Sequence, residues 1–184
     1  CGNAVLPYEF DRLPDFVMIG ASKSSTTTMY RLLQQHPSVY LPRDKGAYYF
    51  NDPNFDKPDA LESYAALFRA AMGKEAVVGE SSNTYTHRPN GGPVAKRMKR
   101  CLGPVKLLYM VRDPVARGIS HYRHKCLDPE YRRSFGEALD RDPLLATVGC
   151  YAYQLEPYIA EFGADQVKII VAERLHREFA EVMR

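Results

Sequence analysis

The sequence predicts an α/β protein of three layers, with a central, mostly parallel sheet of about four to five strands and helices on both faces. Short apolar runs recur along the chain and alternate with segments of helical periodicity. That alternation gives parallel strands joined by crossover helices. The 184 residues can bury one proper core, and a hydrophobic content of 45% is ordinary for a globular domain. A single domain over 1–184 is expected, with 1–14 an irregular lead marked by Pro7 and Pro14.

The elements follow in order. Phe16-Val17-Met18-Ile19 gives a strand over 15–20, stopped by Gly20. A hydroxyl-rich stretch then opens a helix over 26–36, with Met29, Leu32 and Leu33 on one side. A short strand is expected at 38–41 and a loop at 51–58. The helix expected at 58–72 carries Leu61, Tyr64, Ala65, Leu67, Phe68 and Met72 at near-helical spacing. Ala76-Val77-Val78-Gly79 predicts a strand at 76–79, followed by a loop at 83–93 containing Pro89, Gly91, Gly92 and Pro93. The next helix, 92–101, bears the basic run Lys96-Arg97-Met98-Lys99-Arg100. Such a run is either a solvated face or a contact for an anionic acceptor. Val105–Val111 reads as a buried strand, and Pro114 opens a helix over 114–126 behind an Asp113 cap. Helices at 134–140 and 149–162, a strand at 166–171 and a helix at 173–184 complete the pattern. The chain stops inside that last helix, which leaves a continuation past Arg184 open.

Composition narrows the function classes. A net charge of +3, from 25 basic and 22 acidic side chains, is too mild to argue for nucleic acid. No apolar run approaches the roughly 20 residues of a membrane span, and no signal peptide is visible. The first residue is Cys1, so removal of an upstream segment stays open. Cys1, Cys101, Cys126 and Cys150 are scattered, with no CxxC pair and no zinc spacing. Reduced thiols and a cytoplasmic setting are expected.

Two segments carry chemistry. In Gly20-Ala21-Ser22-Lys23-Ser24-Ser25-Thr26-Thr27-Thr28, a glycine ends the strand and a small, hydroxyl-rich turn carries one lysine before a helix. Free helix N-terminal N–H groups, an ammonium and hydroxyls make an anion cradle. An ordinary capped strand–turn–helix connection has the same letters. The turn does not end in the Gly-Lys-Ser/Thr of nucleotide triphosphatases. In the second segment Arg112 follows a strand, at the end where open α/β sheets bind ligands. Arg112, Arg117 and Ser120 offer fork-shaped and hydroxyl donors to an oxyanion.

Together these segments resemble the sulfotransferases that use 3′-phosphoadenosine 5′-phosphosulfate (PAPS). The first is similar to the family's 5′-phosphosulfate loop. Arg112-Asp113-Pro114, Arg117, Ser120 and Tyr122 match its 3′-phosphate motif, R-D-P-x-x-R-x-x-S-x-Y, in full. Gln35-His36-Pro37-Ser38-Val39, Gly149-Cys150-Tyr151 and Gln166–Val171 resemble further family segments in the right order. The likeness runs from about Asp15 to the end, nearest to the bacterial and heparan-sulfate-type branch. It implies a P-loop-like three-layer fold, with sulfuryl transfer from PAPS to a hydroxyl of a carbohydrate, lipid or natural product. The product nucleotide would be 3′-phosphoadenosine 5′-phosphate (PAP), and no metal is needed. Lys23, Ser24, Ser25, Thr26 and Thr27 would hold the 5′-phosphosulfate; Arg112 and Ser120 would hold the 3′-phosphate, with Tyr151 beside it.

The chain departs from the family at three places. Ser25 stands where the loop has glycine, which a negative φ would permit. Relatives often read K-E-x-H-F-F where this chain has Lys45-Gly46-Ala47-Tyr48-Tyr49-Phe50, so the candidate glutamate base is replaced by Gly46 and the histidine by Tyr48. Gly79-Glu80-Ser81 stands for G-E-K. Replacement bases are Glu80, His87, His121 and His124. Glu80 leads, because it follows a strand and would point over the crevice; a structural carboxylate paired with Lys45 or Arg112 is its alternative. His121 is expected to point elsewhere, and His36 to close a helix. Lys23, Lys45 and Glu80 are thus the catalytic candidates. Two other classes stay open: a divergent phosphotransferase, and a nucleotide-binding homologue without catalysis.

Overall fold

The computed structural model describes residues 12–71, 77–89 and 93–177. The lead through residue 11, Met72, Ala76, Gly92 and 178–184 lie outside the described residues. Five strands form one sheet: β1 (Phe16–Gly20), β2 (Val39–Tyr40), β3 (Val77–Ser81), β4 (Lys106–Val111) and β5 (Val167–Val171). Their order is β2-β3-β1-β4-β5, and every neighbouring pair is parallel. The expected α/β class therefore holds.

Parallel strands need crossovers, and the helices supply them. These are α1 (Thr26–Gln34), α2 (Pro58–Ala66), α3 (Val94–Leu102), α4 (Pro114–Lys125), α5 (Phe135–Arg141), α6 (Leu144–Thr147), α7 (Tyr151–Phe162) and α8 (Ala172–Arg177). The centre of the sheet is buried on both faces, with all five residues of β1 buried. Val17 and Ile19 of β1 join Leu107 and Tyr109 of β4 in a core with Met98 of α3 and Leu155 and Tyr158 of α7. Met18 and Met110, pointing the other way, pack with Met29 of α1 and Leu175 of α8. The period-two alternation of strand side chains produces this split.

Several element boundaries differ from expectation. The helix expected over 58–72 ends at Ala66, followed by a 3-10 turn at Arg69–Ala71. There the Tyr40 hydroxyl donates to the Leu67 carbonyl, and Phe68 turns fully into the core. The helix expected from Gly149 starts at Tyr151, after the short α6, which sequence reasoning missed. Strand β3 runs on to Ser81, past its expected end at Gly79.

The centre of the sheet positions the site. β1 lies between β3 and β4, so its carboxyl end sits beside both of theirs. Gly20 has φ +154, and a Cβ there would fall 2.2 Å from the Thr86 hydroxyl oxygen. Only glycine lets the chain turn at this point with Thr86 bonded to the Ile19 carbonyl at 3.0 Å.

Candidate functional site

The turn after β1 is built from backbone outward. Ala21 N–H donates to the Met110 carbonyl of β4 at 2.9 Å, and Ser24 N–H donates back to Ala21 at 3.2 Å. Lys23 (φ 69) and Ser25 (φ 63) adopt left-handed backbone. Ser25 therefore holds a positive φ at the family's glycine position, where a serine is expected to need a negative one. It is also the N-cap of α1, with no side-chain capping bond. Thr26 is buried in the first turn of α1. Lys45, arriving from the loop before Tyr49, donates from Nζ to the Thr26 hydroxyl at 2.7 Å.

The second half comes from β4 and α4. Asp113 caps α4 by accepting from Ala116 N–H at 2.7 Å, and its own N–H is held by the Glu173 carboxylate at 2.9 Å. Arg112 just before it donates from Nη1 to the Lys23 carbonyl at 3.4 Å. Tyr151 fixes the Arg112 backbone twice: its hydroxyl accepts from the Arg112 N–H at 3.1 Å and donates to the Arg112 carbonyl at 2.6 Å.

Between these halves lies a cavity of about 550 Å³, within the range of small-molecule sites. Lys23, Ser25, Thr26, Thr27, Arg112 and Ser120 all line it. Tyr48, Asn83, Ser22 and three histidines, His87, His121 and His124, complete its described lining. The lining contains no carboxylate among the described residues. Lys23 has its pKa lowered by burial and then by Arg112. That of Lys45 is lowered to about 8, by burial and then by Lys23. Cations that repel one another, with no anion in the lining, leave room for a bound one.

Other expected residues lie outside the cavity. Ser24 is fully buried, and its hydroxyl has no hydrogen-bond partner. Tyr151 supports Arg112 from behind. Arg117 is fully buried, donating to the Leu145 carbonyl and contacting Nδ1 of His121 at 3.3 Å, so it faces inward and not toward an oxyanion. Glu80, expected over the crevice, is only 1% exposed. It accepts from Ser82 at 2.5 Å, Tyr64 at 3.1 Å and Tyr85 at 3.3 Å. Burial pushes its carboxyl up to about 7, against the pull of those three hydroxyls. The pairing with Lys45 or Arg112 weighed from sequence is replaced by this hydroxyl cage.

His121 was expected to point away and instead lines the cavity. Arg117, Ser120, His121 and His124 are spaced as one helix face, the signal that would have found it. His87 and His121 are both lowered to about 4, by burial and then by Arg117. Nε2 of His87 lies 2.8 Å from the Ser22 hydroxyl. Both rings are therefore neutral at pH 7. His36 accepts from Ser38 N–H at the end of α1. No cluster of three or more metal-ligating side chains occurs among the described residues. Among those residues Cys101, Cys126 and Cys150 are free, and no helix is long and apolar enough to cross a membrane.

Comparison with known proteins bears on this geometry. The family model described as sulfotransferase domain matches residues 13–184. The chain is 34% identical over 124 residues to the membrane-associated sulfotransferase kil1 of Dictyostelium discoideum, covering 65% of this chain and 25% of that protein. It is 30% identical over 193 residues to a bifunctional heparan sulfate N-deacetylase/N-sulfotransferase 4 of Mus musculus, covering 94% of this chain and 22% of that one. A heparan sulfate glucosamine 3-O-sulfotransferase 3B1 of Mus musculus is 26% identical, with 94% and 45% covered. The chain thus spans from under a quarter to less than half of these curated relatives. Among solved structures, a sulfotransferase from Alicyclobacillus acidocaldarius superposes with TM-score 0.77 at 32% identity, covering 93% of this chain and 78% of that one. The sulfotransferase domain of the curacin biosynthetic pathway, at 15% identity and TM-score 0.66, shares the fold.

Proposed function

The chain belongs to the sulfotransferase domain family, and on that premise we propose that it moves a sulfuryl group from PAPS to an acceptor hydroxyl. The observation that carries this is the cavity where Lys23 and Arg112 meet with no carboxylate in its described lining. A doubly phosphorylated nucleotide supplies the missing anions. Lys23, with Ser25, Thr26 and Thr27, takes the 5′-phosphosulfate end, where free N–H groups of α1 add their dipole. Arg112 and Ser120 take the 3′-phosphate. Lys45 stands against Thr26 and adds charge where the leaving phosphate forms. The bond from sulfur to the phosphate oxygen breaks, one to the acceptor oxygen forms, and the hydroxyl proton leaves.

No carboxylate among the described residues lines the cavity that receives that proton. His87, His121 and His124 line the cavity and are the groups that take it. Glu80 acts as a positioning residue: it holds Ser82, whose hydroxyl accepts the Tyr48 N–H at 3.0 Å. No step in this scheme calls for a metal. The heparan sulfate enzymes among the relatives support a glycan acceptor, and the free thiols support a cytoplasmic setting. A nucleotide-binding homologue without catalysis is the second reading, favoured by the burial of Glu80 and by Gly46.

Transfer of labelled sulfate from PAPS to a panel of hydroxyl acceptors tests the proposal. Transfer, with PAP bound more tightly than ATP, is expected. Tight PAP binding with every acceptor silent supports the second reading, and preference for ATP contradicts both.

A further inference from the structure

A second cavity, of about 510 Å³, opens on the other side of the loop that carries Lys45 and Tyr48. Gly46, Ala47 and Tyr49 line it, whereas Tyr48 lines the cationic cavity. One short loop therefore walls both. Gly46 keeps that wall thin. Its φ is +96, and a Cβ there would lie 2.5–2.6 Å from the end of the Tyr48 ring. Any side chain at this position would displace Tyr48 from the boundary.

The second cavity has its own chemistry. Its floor holds Tyr49 and Tyr64, stacked with centroids 4.4 Å apart and planes 12° apart. Its rim carries Asp52, Asn54, Lys57, Asp59 and Ser63, all exposed. An amide, a hydroxyl and carboxylates over aromatic rings suit a ligand rich in hydroxyl groups. The charge count is two carboxylates, Asp52 and Asp59, against one ammonium, Lys57. An acidic glycan would meet net repulsion here.

Nor does the basic run of α3 repair this. Arg97 donates to the Phe50 and Asp52 carbonyls, and Arg100 pairs with Asp56. Lys96 lines a different cavity, beside Tyr85 and Tyr158.

We propose that this groove is the acceptor subsite and that its ligand is an uncharged, hydroxyl-rich molecule, a neutral saccharide. The inference rests on the sulfotransferase reading above. A saccharide held there extends one hydroxyl past Tyr48 into the cationic cavity, where its oxygen forms the new bond to sulfur as the donor's phosphate oxygen leaves and its proton passes to the lining histidines.

The experiment uses the full chain saturated with PAP. A panel of neutral oligosaccharides and a panel of uronate-bearing ones are followed by saturation-transfer NMR, and the same panels are offered labelled PAPS. Neutral members are expected to bind and to accept sulfate, with uronate-bearing ones at least tenfold weaker. Ser63→Trp fills the groove from an exposed position on α2. It should abolish saccharide binding and leave PAP affinity unchanged. Asp59→Lys should narrow the gap between the two panels. Equal or better binding of uronate-bearing chains overturns the inference. So does saccharide binding indifferent to Ser63→Trp, or silence of the neutral panel, with PAP binding intact. Loss of PAP binding by the unaltered protein overturns the broader reading, and this inference with it.

Discussion

Two cavities share one loop and differ in sign. On the Lys23 side, Lys23 and Arg112 face no carboxylate among the described lining residues. On the Gly46 side, Asp52 and Asp59 outnumber Lys57. On the reading proposed above, the first takes a polyanion and the second takes hydroxyls. Donor and acceptor are, on that reading, separated without a domain boundary, because residues 46–49 of one short loop line both cavities. Below the loop, Glu80 supports it through Ser82.

The comparison breaks most sharply at Lys23. Lys23→Ala is expected to slow sulfuryl transfer by about 10²–10³-fold, the usual cost of removing one stabiliser of developing charge. Steady-state transfer from labelled PAPS reads it. An unchanged rate would mean that the cationic cavity does not serve the leaving phosphate.

Glu80→Gln separates support from chemistry. The folded state holds the Glu80 proton more tightly than the unfolded chain, with the carboxyl raised from 4.5 to about 7. Its contribution is therefore fully present below about pH 4.5 and lost as pH rises through about 7. The total is roughly 3 kcal/mol. Urea unfolding at pH 5 and pH 8 should show that slope in the parent protein and not in Glu80→Gln. A loss of transfer rate of about 10²–10⁴-fold in Glu80→Gln, with PAP affinity kept, would instead make Glu80 a base.

Lys45 sharpens the donor side. Its ammonium is charged below about pH 8 and neutral above it. PAP affinity should fall as pH rises through that value, by about two- to fivefold, and Lys45→Ala should flatten the fall. Calorimetric titrations at pH 7 and pH 9 measure it. Identical pH profiles would remove Lys45 from the donor side.

The smallest effect is at Ser25. A left-handed φ of 63 costs a serine about 1 kcal/mol that glycine does not pay. Ser25→Gly should raise Tm by about 2–4 °C, with PAP affinity kept. A lower Tm would mean that the serine side chain stabilises the turn.

Much of this was legible in the sequence. The apolar run ending at Gly20, the lysine turn and Arg112 after a second apolar run placed both halves of the donor cavity on strand ends. Alternation of strands and helices placed those strands side by side. Burial was not legible. Arg117 and Ser120 look alike as donors on α4, yet one turns inward to the Leu145 carbonyl and the other lines the cavity. Glu80 reads as a strand-end carboxylate, and only the meeting of Tyr64, Ser82 and Tyr85 around it shows a cage. The sign of φ at Ser25 is set by the turn around it and not by its neighbours in sequence. The acidic groove joins α2 to residues 46–54, and no motif marks it.

The central claim is that Lys23 and Arg112 hold opposite ends of one bisphosphate nucleotide. Calorimetry of the parent protein and Arg112→Ala, each with PAP and with adenosine 5′-phosphate, tests it directly. Arg112→Ala should weaken PAP by about 10- to 150-fold, the 1.5–3 kcal/mol of a charge-assisted contact, and barely change the monophosphate. Equal weakening of both ligands would contradict the account.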